Sequence, residues 1–248
     1  MQVHSLTAER LSANGIIPRW VRHEHAARYE FAAQFVENNI VVDCACGTGK
    51  STVHFVRAGA RHIHAFDVSE LSVREAREYC KSTAVTFEVR DALQLPLPDE
   101  SADVFVSLET IEHIDDDAAF IKEIARILKP NGLLICSTPN REITNPGLEL
   151  TGQPFNRFHV REYSTSDFSK LLAAQFGEFT MYGQNLTRHF YAKALASSAK
   201  VVGSRAVSRV NQLLKLPRFL YYDPAHASVV RMKSGLHYEY LVAVCRKL

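Results

Sequence analysis

The stretch SLETIEHIDDD sets Glu109, Glu112 and His113 at i, i+3 and i+4. A single helical turn over those residues would put all three side chains on one face. Two carboxylates and an imidazole so placed suit two kinds of chemistry. The imidazole titrates near neutrality and can take a proton from a hydroxyl. Alternatively, the three together can hold a divalent cation, and an oxygen-rich set with one nitrogen suits Mg²⁺ or Mn²⁺ better than a thiolate-preferring metal. The plainer alternative is a histidine that only packs.

A second constellation lies upstream in VVDCACGTGKST, Val41 to Thr52. β-Favouring or small residues run through Asp43 into a turn with Gly47 and Gly49, and a helix-compatible segment follows. Strand, glycine turn and helix in that order form the first unit of a nucleotide-binding α/β sheet. The two glycines let the backbone approach a ligand closely. A phosphate-binding loop of the form GxxxxGK[ST] would need its first glycine at Cys44, and a dinucleotide fingerprint starting at Gly47 would need one at Thr52. Neither pattern is complete, which disfavours a nicotinamide oxidoreductase. Two further acids follow. Asp67 closes the expected strand Arg61–Phe66, 18 residues past Gly49, where a carboxylate can accept hydrogen bonds from ribose hydroxyls. Asp91 follows the expected strand Val85–Val89.

The elements that must position these groups alternate between the two periodicities. Helical spacing marks 22–37 through Ala26, Tyr29, Ala33 and Val36, then 50–58, and then 69–80 with Ser69 as N-cap. A strand at 104–108 leads to a helix at 116–129 with an apolar stripe of Phe120, Ile121, Ile124, Ile127 and Leu128. A strand at 133–137, a long loop at 141–161, a helix at 164–174 and strands at 179–183 and 237–245 complete the chain. This succession predicts an α/β fold.

Composition bounds the partners. With 46% hydrophobic and 23% charged residues and a net charge of +2, the chain is of ordinary globular type with no global field for nucleic acid. Five cysteines without paired CxxC spacing favour a reducing compartment, and Cys44 and Cys46 read as small core residues. No run reaches the length of a membrane span, so the expected location is the cytoplasm. The segment Thr187–Tyr222 carries seven Lys or Arg residues and no acid. It predicts a helix whose basic side either covers the cleft or meets an anionic acceptor, a membrane surface or nucleic acid.

The residues Asp43, Ala45, Gly47 and Gly49 resemble motif I, (D/E)xGxGxG, of the class I S-adenosylmethionine (SAM) methyltransferases, with Ala45 in place of the first glycine. LPLPDESAD and LKPNG resemble the family's LPFxDxSFD run and LKPGG turn. The ExxEH turn at Glu109–His113 resembles the metal-binding turn of ubiquinone-pathway O-methyltransferases and of RNA 3′-terminal ribose methyltransferases. The latter complete the site with a downstream histidine, here His159. FNRFHVREYS and EHAARYEFA resemble segments of methyltransferases associated with carbohydrate modification, and the resemblance covers Glu24 to about Phe179.

This resemblance implies a Rossmann-like sheet of seven strands, mostly parallel with the last antiparallel, flanked by helices. It would form one domain: a helical cap at 1–39, a SAM-binding core at 40–186, a basic helical insertion at 187–235 and the last strand at 236–248. Tyr29, Asp43, Ala45, Gly47, Thr48, Gly49, Asp67, Val68, Asp91, Ala92 and Leu108 would bind the cofactor, with Asp91 and Ala92 on the adenine and His25 beside Tyr29 in the cap. Catalysis would fall to His113, Glu112 and His159, and a Mg²⁺ or Mn²⁺ ion to Glu109, Glu112, His113 and His159. The expected reaction is SAM-dependent methylation of a small-molecule hydroxyl, on a sugar, glycan or related metabolite. Ribose 2′-O-methylation at RNA 3′ ends and a non-catalytic SAM-fold binding protein are the alternatives.

Overall fold

A computed structural model describes residues 19–187 and 227–248, together with positions 198, 201, 203, 206, 207, 209 and 210. Apart from those positions, the expected helix within Thr187–Tyr222 lies outside the described residues. The elements in order are α1 (Arg19–Ala33), β1 (Ile40–Cys44), α2 (Val53–Arg57), β2 (His62–Asp67), α3 (Glu70–Tyr79), β3 (Val85–Val89) and β4 (Ala102–Leu108). There follow a 3₁₀ turn (Ile111–His113), α4 (Asp117–Ile127), β5 (Leu128–Pro139), α5 (Arg141–Thr144), α6 (Thr165–Ala173), β6 (Glu178–Thr187), β7 (Val230–Arg231) and β8 (His237–Arg246).

The strands form one sheet in the order β3-β2-β1-β4-β5-β8-β6-β7. The first five run parallel, and β8 inserts antiparallel between β5 and β6. The sheet has eight strands rather than the expected seven. The extra one, β7, is a two-residue pairing of Val230–Arg231 with Tyr182 and Gly183, too short to leave a periodic signal. β5 starts at Leu128 instead of Leu133, because Leu128 pairs with Ala102 before the register shifts.

Both faces of the parallel strands are covered, so they read as nearly continuous apolar runs. Along β1, Val41 packs with Phe55, Ile63 and Val73 on one face, and Val42 packs with Phe105, Phe120 and Phe168 on the other. The α4 stripe supplies Phe120, Ile121, Ile124 and Ile127 to that second layer, all buried. Each such side chain contributes about 1.5–3 kcal/mol on burial. Two caps fix the helices around the cleft: Ser69 Oγ accepts from Ser72 N–H at 3.2 Å, and Asp116 Oδ1 from Ala119 N–H at 2.9 Å.

The strand order reverses between β1 and β4. In open α/β sheets ligands bind beyond the carboxyl ends of the strands at that reversal. The glycine turn after β1 and the acidic turn after β4 therefore flank one crevice.

Candidate cofactor and acceptor site

The glycine loop is shaped by two left-handed residues, Gly47 at φ +55° and Gly49 at φ +68°. They serve different ends. A Cβ on Gly49 would stand 2.8 Å from Ala76 Cβ and 3.0 Å from Phe87, so this glycine lets α3 and β3 close on the loop. A Cβ on Gly47 would meet nothing within 4 Å, so its open side is where a ligand can approach.

The three acids stand at different levels on adjacent strands. Asp43 is level with Ala65, two residues below Asp67, and Asp67 is level with Val89, two residues before Asp91. Asp43 consequently lies beneath the loop, 1% exposed, accepting from Tyr29 Oη at 3.1 Å and Thr52 Oγ1 at 2.6 Å. Burial pushes its carboxyl up to about 6 despite those two bonds. Tyr29, buried against Phe55 and His25, ties α1 to this brace. Asp67, two residues higher and also buried at 3% exposed, holds the loop: Oδ2 accepts from Gly47 N–H at 2.9 Å and Oδ1 from Ser69 N–H at 2.8 Å. Asp91 is exposed, with Oδ1 accepting from Leu93 N–H at 2.9 Å. Val68 and Leu93 flank these acids as exposed apolar side chains, 38% and 36% accessible.

Beyond β4 the local geometry departs from the expected helical turn. Glu109 sits at φ +54°, and only Ile111–His113 forms a 3₁₀ turn. Glu109 consequently finds partners of its own: Oε1 accepts from Ser137 Oγ at 2.7 Å and lies 3.8 Å from Arg28 Nε. Glu112, His113 and His159 do come together, each offering a ligand atom within 4.8 Å of the others. Glu112 is 1% exposed and accepts from Thr138 Oγ1 at 3.1 Å. Burial first, and the charge of Glu109 second, push its carboxyl up to about 8. His113 Nδ1–H donates to the Phe158 carbonyl at 3.0 Å, which leaves Nε2 as its acceptor nitrogen. The His113 and His159 rings meet edge to face with centroids 4.9 Å apart.

The family described as a methyltransferase domain matches residues 42–136. A Mycobacterium tuberculosis protein named "Probable S-adenosylmethionine-dependent methyltransferase" is 34% identical over 182 residues, covering 73% of this chain and 64% of its own length. This chain thus spans less than two thirds of that relative. An O-methyltransferase of Aspergillus nomiae is 31% identical over 153 residues, covering 58% of this chain and 68% of its own. The chain belongs to the SAM-dependent methyltransferases. The fold agrees: a Thermotoga maritima structure described as a SAM-dependent methyltransferase superposes with a TM-score of 0.61 over 93% of this chain and 94% of that one, at 20% identity.

For a methyltransferase of this class the cleft fits an adenosyl group. The side-chain-free approach at Gly47, the apolar pair Val68 and Leu93, the exposed carboxylate Asp91 and the buried Asp67 on the loop are groups of the kind a nucleoside would contact. Ala45, Thr48, Gly49, Ala92 and Leu108 belong to the loop and strand ends around them, whereas Asp43 and Tyr29 brace the loop from below. Glu112, His113 and His159 each offer one ligand atom, a set that could hold a divalent cation. With one carboxylate and two imidazoles, it suits Mn²⁺ or another borderline ion better than Mg²⁺.

Several residues went unnoticed in the sequence. Arg28 is buried in α1, its guanidinium 4.5 Å from the centroid of the Tyr240 ring, and it donates through Nη1 to Gln184 Oε1. Asn185 Nδ2 donates to Glu24 Oε1 at 2.7 Å and to Glu239 Oε2 at 3.3 Å. These groups gather polar side chains from α1, β6 and β8, whose joint placement no local pattern encodes. Leu93 and Glu162 were closer to legible: one adjoins Ala92, the other completes an HxxE spacing with His159.

Proposed function

We propose that this methyltransferase transfers the SAM methyl group to a hydroxyl of a small-molecule acceptor, a sugar, glycan or related hydroxylated metabolite. The observation that carries this reading is the group Glu112, His113 and His159 gathered where β4 leaves the sheet, beside the crevice of the glycine loop. A hydroxyl is a poor nucleophile until it loses its proton, and an imidazole at the reaction centre suits that task. The relative named an O-methyltransferase agrees with this acceptor chemistry. The carbohydrate assignment rests on the resemblance of FNRFHVREYS and EHAARYEFA to segments of carbohydrate-associated methyltransferases. Five buried free thiols suit a reducing compartment, and we place the protein in the cytoplasm.

Bound SAM supplies a methyl group made electrophilic by its sulfonium. Asp67 and Asp91 hold the nucleoside, and the glycine loop admits its backbone contacts. His113, with Nδ1–H committed to the Phe158 carbonyl, takes the acceptor proton at Nε2. Orientation of donor and acceptor contributes about 7–11 kcal/mol in well-aligned reactions. A divalent cation on Glu112, His113 and His159 would act as a Lewis acid toward the hydroxyl. For His159 to ligate it, the Asn156 amide now 3.0 Å from its Nε2 must withdraw.

The test is His113→Ala, with methyl transfer from labelled SAM to a panel of mono- and oligosaccharides and phenols, and SAM affinity by calorimetry. Turnover should fall by about 100–10,000-fold with SAM affinity within twofold. Full activity in the variant removes His113 from the chemistry. The same assay in EDTA, with Mn²⁺ or Mg²⁺ added back, separates the routes: loss and rescue support the cation, and unchanged turnover supports proton transfer to the imidazole alone.

A further inference from the structure

The loop after α5 returns to the site through a carboxylate that the chemistry above does not use. Glu162 is 2% exposed. Its Oε1 accepts from His159 Nδ1–H at 2.6 Å, and its Oε2 from Asn145 Nδ2 at 2.7 Å and from Thr144 Oγ1. With Oε2 already accepting from both Thr144 Oγ1 and Asn145 Nδ2, Glu162 has the surroundings of a carboxylate that only accepts. The proton of the shared bond therefore belongs to His159 Nδ1.

A second bond reports the same tautomer independently. Asn156 Oδ1 accepts from Phe158 N–H at 3.1 Å, which turns the amide's NH₂ end toward His159, and Nδ2 donates to His159 Nε2 at 3.0 Å. Nε2 is thus the lone-pair nitrogen. The backbone completes the mounting: Val160 N–H donates to the Glu112 carbonyl at 2.8 Å, so His159 is pinned to the turn that carries Glu112 and His113. His113 is held in the same way, through Nδ1–H on a carbonyl. Two imidazoles with anchored Nδ1–H groups, meeting at one carboxylate, form the arrangement in which an outer carboxylate orients a working histidine.

We infer that Glu162 is a positioning residue that fixes the tautomer and direction of His159, keeping the lone pair on Nε2, now met by the Asn156 amide, in the imidazole gathered with Glu112 and His113. The inference rests on the proposed role of that group in methyl transfer. It adds a residue that touches neither cofactor nor acceptor and acts through His159. Thr144 and Asn145 anchor Glu162 itself, tying the first turn after β5 to the loop before α6.

The test uses the full chain labelled with ¹⁵N-histidine. In the wild type at pH 8, long-range ¹H–¹⁵N correlation should show His159 as the Nδ1–H tautomer; the Nε2–H form would overturn the inference without any variant. Glu162→Gln keeps the volume and removes the charge. It should leave SAM affinity within twofold and lower kcat by about 10–100-fold with little change in KM for SAM. A merely structural role would change folding stability but leave the tautomer and kcat of the folded variant untouched, and that result overturns the proposal. If the wild-type protein transfers no methyl group to any acceptor, the functional reading fails, and the tautomer measurement still decides the placement of Glu162.

Discussion

At the scale of single residues, Asp43 and Asp67 show how two acids of one motif come to do different work. Both stand at the end of a strand, Asp43 next to last in β1 and Asp67 last in β2, but the register sets Asp43 two residues lower, so its oxygens are used by Tyr29 and Thr52, while Asp67 holds the Gly47 amide of the loop. Asp43 therefore carries a cost that depends on pH. Its carboxyl rises from an ordinary 3.8 to about 6 through burial, so between those values the folded protein holds a proton that the unfolded chain has lost. The stabilisation is present in acid and is lost as pH rises through 6. Asp43→Asn should gain on the wild type by about 2 kcal/mol between pH 4.5 and 8, measured by urea unfolding at both. A stability difference that does not vary with pH would show that the buried acid is not the titrating group. The sequence disclosed that these acids bear on the cofactor loop, because their spacing follows the strands. It could not disclose Glu109's turn toward Ser137, which follows from a left-handed φ at a non-glycine residue and not from helical periodicity.

Elements with strong periodicity were legible almost to the residue. The α4 stripe and the Ser69 cap of α3 appear where apolar spacing and capping chemistry put them. Boundaries set by pairing with distant strands were not, as the early start of β5 and the two-residue β7 illustrate. The loop between α5 and α6 is the larger loss: Glu162, Thr144, Asn145 and Asn156 become a network only when two stretches of that loop meet. The glycine loop gives an element-scale prediction, since its two glycines face opposite ways. Gly49→Ala combines a positive φ with contacts of 2.8 and 3.0 Å and should destabilise the fold by about 2–5 kcal/mol. Gly47→Ala faces open space and should cost only about 1–2 kcal/mol of stability, yet weaken SAM binding at least tenfold by occupying the approach. Equal stability losses at both positions, or unchanged SAM affinity in Gly47→Ala, would contradict this division of labour.

On the scale of the whole molecule, the topology separates the half that carries the glycine loop, β1 to β3, from a half built on β4, β5, β8 and β6, beside which Glu112, His113 and His159 gather, and α1 spans the two. One face of α1 reaches the glycine loop through Tyr29 on Asp43 and His25 Nδ1, 3.3 Å from Ser51 Oγ. On the adjacent face, one residue before each, Arg28 and Glu24 reach Glu109, Gln184 and Asn185. An order of elements read from sequence gave the parallel part of this plan, but the side chains that α1 delivers to the other half meet strands from the far end of the chain. Among the described residues no helix is long and apolar enough to cross a membrane. The most direct measurement of the central claim is a crystal structure of the protein with S-adenosylhomocysteine, the demethylated cofactor. The account predicts the ribose on Asp67, the adenine between Val68 and Leu93 beside Asp91, and the sulfur directed toward His113. A nucleoside bound outside this cleft, or a sulfur facing away from His113, would contradict it.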